Sequence, residues 1–187
     1  QKVLIDGLGR VADVEPADFD DDGDIDLLVA EFGWLQTGRV FMMENTGTKS
    51  EPPEFEVRVL DDRHGCIKTT VVDLNKDGHL DFMAIFAQEH EVVEAFYNRG
   101  DGTFRRELVF GADNPSHGSS GIEIVDMEGD GDLDVLFTNG DMLDGFYVVP
   151  YHGIRWIERT ETGWKPHDIL AYMPGVYRAE AADMDMD

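Results

Sequence analysis

Three short acidic segments of this sequence share one pattern of oxygen-bearing side chains. They read DFDDDGDID from Asp18, DLNKDGHLD from Asp73 and DMEGDGDLD from Asp126. In each nine-residue segment, Asp, Asn or Glu stands at positions 1, 3, 5 and 9, and glycine stands at position 6. Side chains at alternate positions of a tight loop converge on one point, and the glycine permits the sharp turn. The converging oxygen atoms would surround a hard divalent cation.

Calcium is the cation that this spacing favours, because calcium takes about six to eight oxygen ligands at about 2.3 to 2.6 Å. Side chains at positions 1, 3, 5 and 9 and the backbone carbonyl at position 7 would supply them. Without a cation, the clustered carboxylates would repel one another strongly. The predicted ligands of the three calcium sites are Asp18, Asp20, Asp22, Asp24 (carbonyl) and Asp26; Asp73, Asn75, Asp77, His79 (carbonyl) and Asp81; and Asp126, Glu128, Asp130, Asp132 (carbonyl) and Asp134.

Two other interpretations of the acidic segments are weaker. Asp and Gly are common in hairpin turns. A turn alone, however, does not require the same pattern to recur three times at a regular spacing. An EF-hand needs a Glu at position 12 and a helix on each side. Position 12 is Val29, Ala84 and Phe137, and the flanking runs are short, apolar and rich in branched and aromatic residues. Such runs are typical of buried β-strands.

The acidic segments recur at the period of a β-repeat. Their starts are 55 and 53 residues apart, and a fourth copy, DMD from Asp183, lacks the glycine and the closing carboxylate. Four strand-like segments fill each interval, with a hairpin turn at NRGDGTF, and long helical periodicity is absent. Four strands in about 50 residues are typical of one propeller blade. The predicted fold is therefore all-β, a partial β-propeller with three full four-stranded blades and the start of a fourth.

We expect the whole chain, residues 1–187, to be a single partial propeller domain. Because a propeller usually has about four to eight blades, we expect either a fragment of a larger ring or self-association that completes one. The strand-like KVLID near Gln1 would be the last strand of a preceding blade. The predicted blade repeats are roughly 9–60, 64–110 and 117–170, with the start of the next at 175–187.

Composition narrows the class of protein further. The formal charge of -25 argues against nucleic acid or an anionic membrane as a partner. With 42% hydrophobic residues, the chain has enough apolar surface to fold around a core. Cys66 is the single cysteine, which excludes an internal disulfide framework. No apolar run approaches the roughly 18 residues of a membrane span.

The acidic loops and the NxGDGTF-like turn resemble those of the FG-GAP or VCBS repeat family, related to the calcium-binding blades of integrin alpha subunits. The resemblance extends over essentially the whole chain, although Asn75 and Glu128 replace Asp at position 3. It implies a calcium-binding module for binding or scaffolding, without catalysis, that is secreted, periplasmic or at the cell surface. Its partner would be a protein or a carbohydrate. The alternative that the resemblance suggests is a lyase or dehydratase acting on a sugar polymer.

In this family's blade, the innermost strand enters the calcium loop and the second strand returns, so the flanking connections share the opposite face. This face would form a pocket for a sugar, a peptide carboxylate, or a metal held by His64, His90 and His117. In the enzyme alternative, Glu31 would join these histidines as an acid or base. A simpler interpretation is that the residues only shape tight connections. The candidate ligand-binding residues are Glu31, Trp34, His64, Gln88, His90, His117, Asn139 and Asp141.

Overall fold

A computed structural model describes residues 3–34, 37–47, 53–142 and 149–185. These residues form twelve β-strands and no α-helix, and the strands are arranged in three antiparallel sheets of four. The first sheet has β1 (Val11–Ala17), β2 (Asp26–Trp34), β3 (Thr37–Asn45) and β4 (Phe55–Asp61), and the second has β5 (Cys66–Val72), β6 (Asp81–Phe86), β7 (Val92–Asn98) and β8 (Phe104–Gly111). The third has β9 (Ser119–Val125), β10 (Asp134–Asn139), β11 (Gly153–Thr160) and β12 (Gly163–Ala171).

Within each sheet the strands follow one another in chain order, as in a propeller blade. Each predicted acidic segment joins the first strand of a sheet to the second. The predicted all-β fold with three full four-stranded blades is therefore confirmed. Val29, Ala84 and Phe137, at position 12 of the acidic pattern, lie in β2, β6 and β10, so the flanks are strands and not EF-hand helices.

The second strand of each sheet has more buried residues than any other strand of that sheet. All six residues of β6 and of β10 are buried, as expected for apolar runs that are covered on both faces. The fourth strands β4, β8 and β12 are largely exposed and carry more polar side chains. The apolar runs that follow the acidic segments in the sequence are thus the core of each blade.

The two ends of the chain depart from the expected strand pattern. The KVLID segment is not a strand over its described residues, because Val3–Arg10 contains no strand. Its apolar residues Ile5 and Leu8 instead pack on the cluster of Val29, Phe41 and Met43. The predicted start of a further blade, 175–187, contains no strand over its described residues, and Met186 and Asp187 lie outside them.

The chain divides into two compact units. The first comprises residues 1–86 and 94–107 and includes the first two acidic segments. The second comprises residues 87–93 and 108–187 and includes the third acidic segment and the whole third sheet. No helix in the described part of the chain has the length and apolarity needed to cross a membrane.

Candidate functional site

The three acidic segments form loops that share two left-handed backbone positions. We call them loop one (residues 18–26), loop two (73–81) and loop three (126–134). The residue at position 6 is a glycine with φ of +86°, +93° and +96°, a left-handed conformation that suits glycine. Position 4 is left-handed as well, although its residues differ in type: they are Asp21 (φ 62°), Lys76 (φ 59°) and Gly129 (φ 76°).

The loops also share two internal hydrogen bonds. The glycine N–H at position 6 donates to the carboxylate at position 1, over 2.9, 3.0 and 2.9 Å in loops one, two and three. The N–H at position 7 donates to the aspartate at position 5, over 2.8, 2.9 and 2.8 Å. These bonds orient the carboxylates at positions 1 and 5 in the same way in every loop.

The aspartate at position 9 is buried in every loop, with 2, 0 and 1% of its surface exposed. One of its oxygens accepts a hydrogen bond from the N–H at position 2, over 3.1, 3.0 and 3.2 Å. The other accepts from a backbone N–H of the third strand of the same sheet, over 2.8, 2.7 and 2.7 Å. The three aspartates and their third-strand donors are Asp26 with Asn45, Asp81 with Asn98, and Asp134 with Arg159.

Position 9 therefore has a structural role that the sequence pattern did not reveal. The carboxylate ties the start of its loop to the third strand by two hydrogen bonds. Burial raises the pKa of Asp26 and of Asp81 above the usual range, because it penalises the charged form. Each carboxylate oxygen has a further lone pair, so coordination of an ion by position 9 stays a prediction.

Loop one brings three carboxylates together. One oxygen from each of Asp18, Asp20 and Asp22 lies within 4.8 Å of the other two. Asp18 Oδ1 is fully enclosed, and it accepts no hydrogen bond in the part of the chain that the structure describes. A buried carboxylate oxygen without a donor, beside two other carboxylates, is costly unless a proton or a cation balances it.

Loop three brings positions 3 and 9 together. The side chain of Glu128 is hydrogen-bonded to that of Asp134, and this contact raises the pKa of Glu128 to about 7. Two carboxylates in contact cannot both ionise easily, so they share a proton. A divalent cation can replace that proton.

Loop two partly satisfies its own oxygens. Asn75 Nδ2 donates to Asp77 Oδ2 over 2.9 Å. Bonds from the His79 N–H and from the Asn75 side chain lower the pKa of Asp77. Loop two has three carboxylates and one lysine, whereas loops one and three have six and five carboxylates. Its oxygen cluster is therefore the least negative of the three.

The opposite end of the third sheet contains three candidate ligand-binding residues, His117, Asn139 and Asp141. Asn139 Nδ2 donates to the carbonyl oxygens of His117 and Tyr151, over 3.2 and 2.9 Å. Arg155 Nη1 donates to His117 Nε2 over 3.1 Å and to Asn139 Oδ1 over 3.0 Å. Asp141 Oδ1 accepts a bond from Tyr177, over 3.2 Å. The structure thus joins His117 and Asn139 in one buried network.

This network determines the state of His117. Burial, and secondarily the Arg155 guanidinium, lower the pKa of His117 to about 4, so its ring is neutral at pH 7. Because a guanidinium has only donors, Nε2 of the ring is the acceptor. A metal ion at Nε2 would have to displace the guanidinium, so the geometry disfavours His117 as a metal ligand through this nitrogen.

The other candidate residues are divided between the two units. Glu31, Trp34 and His64 belong to the first unit, and Gln88 and His90 belong to the second. Glu31 is 7% exposed, and its carboxylate accepts bonds from the Gly9 N–H over 2.6 Å and from Arg39 over 2.9 Å. Trp34 is 64% exposed.

Sequence reasoning missed Arg155, Tyr151 and Glu91. Glu91 is buried, and its Oε2 accepts a bond from the Ser119 N–H over 2.9 Å. These residues have no counterpart in a repeated motif, so periodicity could not identify them. The sequence did contain one indication of this network, because Arg155 is a lone cation within the apolar strand segment GIRWI.

Four-stranded antiparallel sheets with an acidic, glycine-containing loop between their first two strands define a repeat protein of propeller type. The family model for FG-GAP-like repeats matches residues 18–84 and again residues 73–137. The two matches begin at the first residues of loops one and two and together cover well over half of the chain. The chain belongs to the FG-GAP-like repeat family. No curated protein matches the sequence.

Proposed function

We propose that this chain is a calcium-stabilised propeller-type module that serves binding or scaffolding in an extracellular or cell-envelope protein. The observation that carries the proposal is the oxygen cluster of loop one, with its enclosed and unpartnered Asp18 Oδ1. The contact between Glu128 and Asp134 gives loop three a similar need for a cation. The shared backbone conformation of the three loops extends the argument to loop two.

The donor set favours calcium over other common divalent ions. The predicted ligands are carboxylate, amide and carbonyl oxygens, and no Cys or His side chain takes part, which argues against zinc. Magnesium needs near-ideal octahedral geometry and usually keeps several waters. Calcium accepts irregular cages of many oxygens, and calcium sites of extracellular modules bind at about 10⁻⁴ to 10⁻³ M. Such sites fill where calcium is plentiful, which supports a location outside the cytoplasm.

The enzyme alternative receives less support. As a lyase or dehydratase, the chain would need Glu31 or one of His64, His90 and His117 as an acid or base. The Glu31 carboxylate is engaged with Gly9 and Arg39. The pKa of His117, about 4, suits a neutral residue that accepts a bond from Arg155. A binding or scaffolding role therefore accounts better for these two residues.

Calcium titration tests the proposal. We expect calorimetry to show uptake of calcium at three sites and loop two to empty first on chelation, because its charge is lowest. A site saturated at a hundred times its dissociation constant adds about 2.7 kcal/mol to the free energy of unfolding. Chelation should therefore lower the midpoint of thermal unfolding by several degrees or more.

Matched variants separate the ion sites from general effects of charge. Asp20→Asn and Asp22→Asn change exposed carboxylates of loop one and should each weaken calcium uptake at one site. Asp62→Asn changes an exposed aspartate outside the loops and should leave uptake unchanged. Melting curves that superimpose with and without chelator, together with no heat of calcium uptake, would contradict the proposal.

A further inference from the structure

A cavity of about 310 Å³ lies at the end of the third sheet that faces away from loop three. The end of β8, the connection at 112–118 and the start of β11 form its walls. The residues that give it chemical character are Phe110, Asp113, Asn114, His117, Tyr151 and Arg155. It belongs entirely to the second unit. Small-molecule sites have volumes of about 300 to 1,000 Å³, so this cavity would hold one small ring.

The aromatic walls of the cavity are held in place by stacking. The ring of Tyr151 is nearly parallel to that of His117, with centroids 5.4 Å apart and planes 4° apart. The His117 ring is also stacked on Phe137, and Phe110 packs against both. Asn114 donates to the Tyr151 hydroxyl over 2.9 Å, and that hydroxyl donates to the Ser116 carbonyl over 3.2 Å. The site is therefore largely preformed.

His117 supplies a hydrogen-bond donor to the cavity. Since Nε2 accepts from Arg155, the proton of the neutral ring resides on Nδ1. Nδ1 makes no hydrogen bond to any described residue, and it is not fully enclosed. Because the ring lines the cavity, this N–H can meet an oxygen of a ligand.

The charges around the cavity disfavour an anionic ligand. The Arg155 guanidinium offers little attraction to an anion, because Asp168 Oδ1 already pairs with its Nε at 2.8 Å. The exposed carboxylate of Asp113 lines the same cavity and would repel an anion. The net charge of -25 adds to that repulsion. A neutral ligand with hydroxyl groups avoids this repulsion, and it can accept a hydrogen bond from His117 and donate one to the Asp113 carboxylate.

We propose that this cavity binds one neutral sugar ring. The C–H face of the ring would lie on the aromatic walls, because polarised hydrogens are attracted to the negative face of an aromatic ring. Its hydroxyl groups would donate to the Asp113 carboxylate and accept from His117 Nδ1–H. The inference goes beyond the proposed calcium-stabilised module and does not depend on it, since loop three lies at the other end of the sheet.

Saturation-transfer NMR on the full chain tests the inference with defined probes. The neutral probes are the methyl glycosides of glucose, galactose and mannose, and the charged probes are glucuronate and choline. We expect saturation transfer to at least one neutral glycoside, and weaker or no transfer to the charged probes. Measurements in calcium and in chelator keep this result separate from calcium binding. Absence of transfer to every neutral glycoside, or stronger transfer to a charged probe, would overturn the inference.

Variants locate the binding site. Asp113→Ala removes an exposed carboxylate and should lower the affinity for the neutral glycoside about ten-fold, as expected for a bond to a charged group. Glu161→Ala, in the exposed turn at the other end of the same sheet, should leave the affinity unchanged. In the unmodified protein, amide shifts caused by the glycoside should fall within 110–117 and 151–155. Shifts elsewhere, or equal affinity in the two variants, would place the ligand outside this cavity and refute the proposal.

Discussion

The two ends of the third sheet shift the pKa of their ionisable groups in opposite directions. In loop three, contact with Asp134 raises the pKa of Glu128 to about 7. At the other end, burial and Arg155 lower the pKa of His117 to about 4. One end therefore holds two carboxylates that share a proton, whereas the other keeps a histidine neutral beside the Arg155 guanidinium. The carboxylate pair and the histidine network thus lie at opposite ends of the same sheet.

The ends also differ in how their structure arises. Loop three repeats the left-handed positions 4 and 6 of loops one and two, and it repeats the hydrogen bonds donated by positions 6 and 7. In the network of His117, Asn139 and Arg155, only His117 belongs to a repeated feature, the pair His117-Gly118 that matches His64-Gly65. The comparison indicates that the repeat maintains the acidic loops, whereas the opposite end is free to differ from blade to blade, as expected for connections that carry specific binding.

The largest expected effect is at the buried end of loop three. Asp134→Ala leaves two backbone N–H groups without their acceptor, which should lower the free energy of unfolding by about 2 to 4 kcal/mol. Because these bonds are independent of calcium, the loss should persist in chelator, measured by urea unfolding. Asp132→Ala is the matched control, since position 7 is predicted to bind an ion through its carbonyl. A loss seen only in calcium would show that Asp134 acts as a ligand alone.

Acid should destabilise the protein through His117. Its pKa is about 4 in the folded chain and about 6.5 when unfolded. Its contribution to stability is therefore present above pH 6.5 and is lost as the pH falls from 6.5 towards 4. Thermal unfolding of His117→Gln, whose amide can still accept from Arg155, should show a smaller loss over this range. Parallel pH profiles for the two proteins would contradict the assignment.

Acid should stabilise calcium-free loop three, whereas it destabilises the protein through His117. Glu128 has a raised pKa, so its contribution is fully present below its ordinary pKa of about 4.5 and is lost as the pH rises through 7. Calcium must displace the shared proton, so calcium affinity at loop three should fall as the pH falls below 7. In Glu128→Gln, calorimetry at pH 6 and pH 8 should show a weaker pH dependence. An unchanged dependence would mean that another group holds the proton.

The smallest effect concerns the backbone of loop three. Gly129 has a φ of 76° and open space around the position of a β-carbon, so Gly129→Ala adds backbone strain without a clash. We expect a loss of about 1 kcal/mol in the free energy of unfolding. Gly129→Asn should cost less, because asparagine tolerates the left-handed conformation. Equal stability of all three proteins would show that the loop relaxes to another conformation.

The repeated part of the molecule was the part that the sequence could predict. Periodic acidic segments and apolar runs indicated the three four-stranded sheets and the loop positions, because period and turn chemistry are local properties. The strand expected at KVLID was wrong, since Ile5 and Leu8 pack on the first sheet without forming a strand. An apolar segment can bury its side chains without forming a strand, and whether it does so depends on tertiary contacts.

The details that the sequence did not reveal depend on long-range partners. Position 4 is left-handed in every loop, but Asp21 and Lys76 carry no glycine signal there. The position 9 aspartate accepts an amide bond from a strand that begins many residues later, for example from Arg159 to Asp134. On the pattern alone, one would expect Asp134→Ala to matter little in chelator. The two amide bonds to Asp134 reverse that expectation.

Loops one and two are in contact within the first unit. His79 Nδ1, at position 7 of loop two, lies 3.4 Å from Asp21 Oδ2 of loop one. The His79 carbonyl is a predicted ligand in loop two, and Asp21 lies between two predicted ligands of loop one. A change in one loop on binding an ion would reach the other through this contact, so the two ions would not bind independently. Their titration curve would depart from that of two independent sites, and His79→Ala would return it to the independent form.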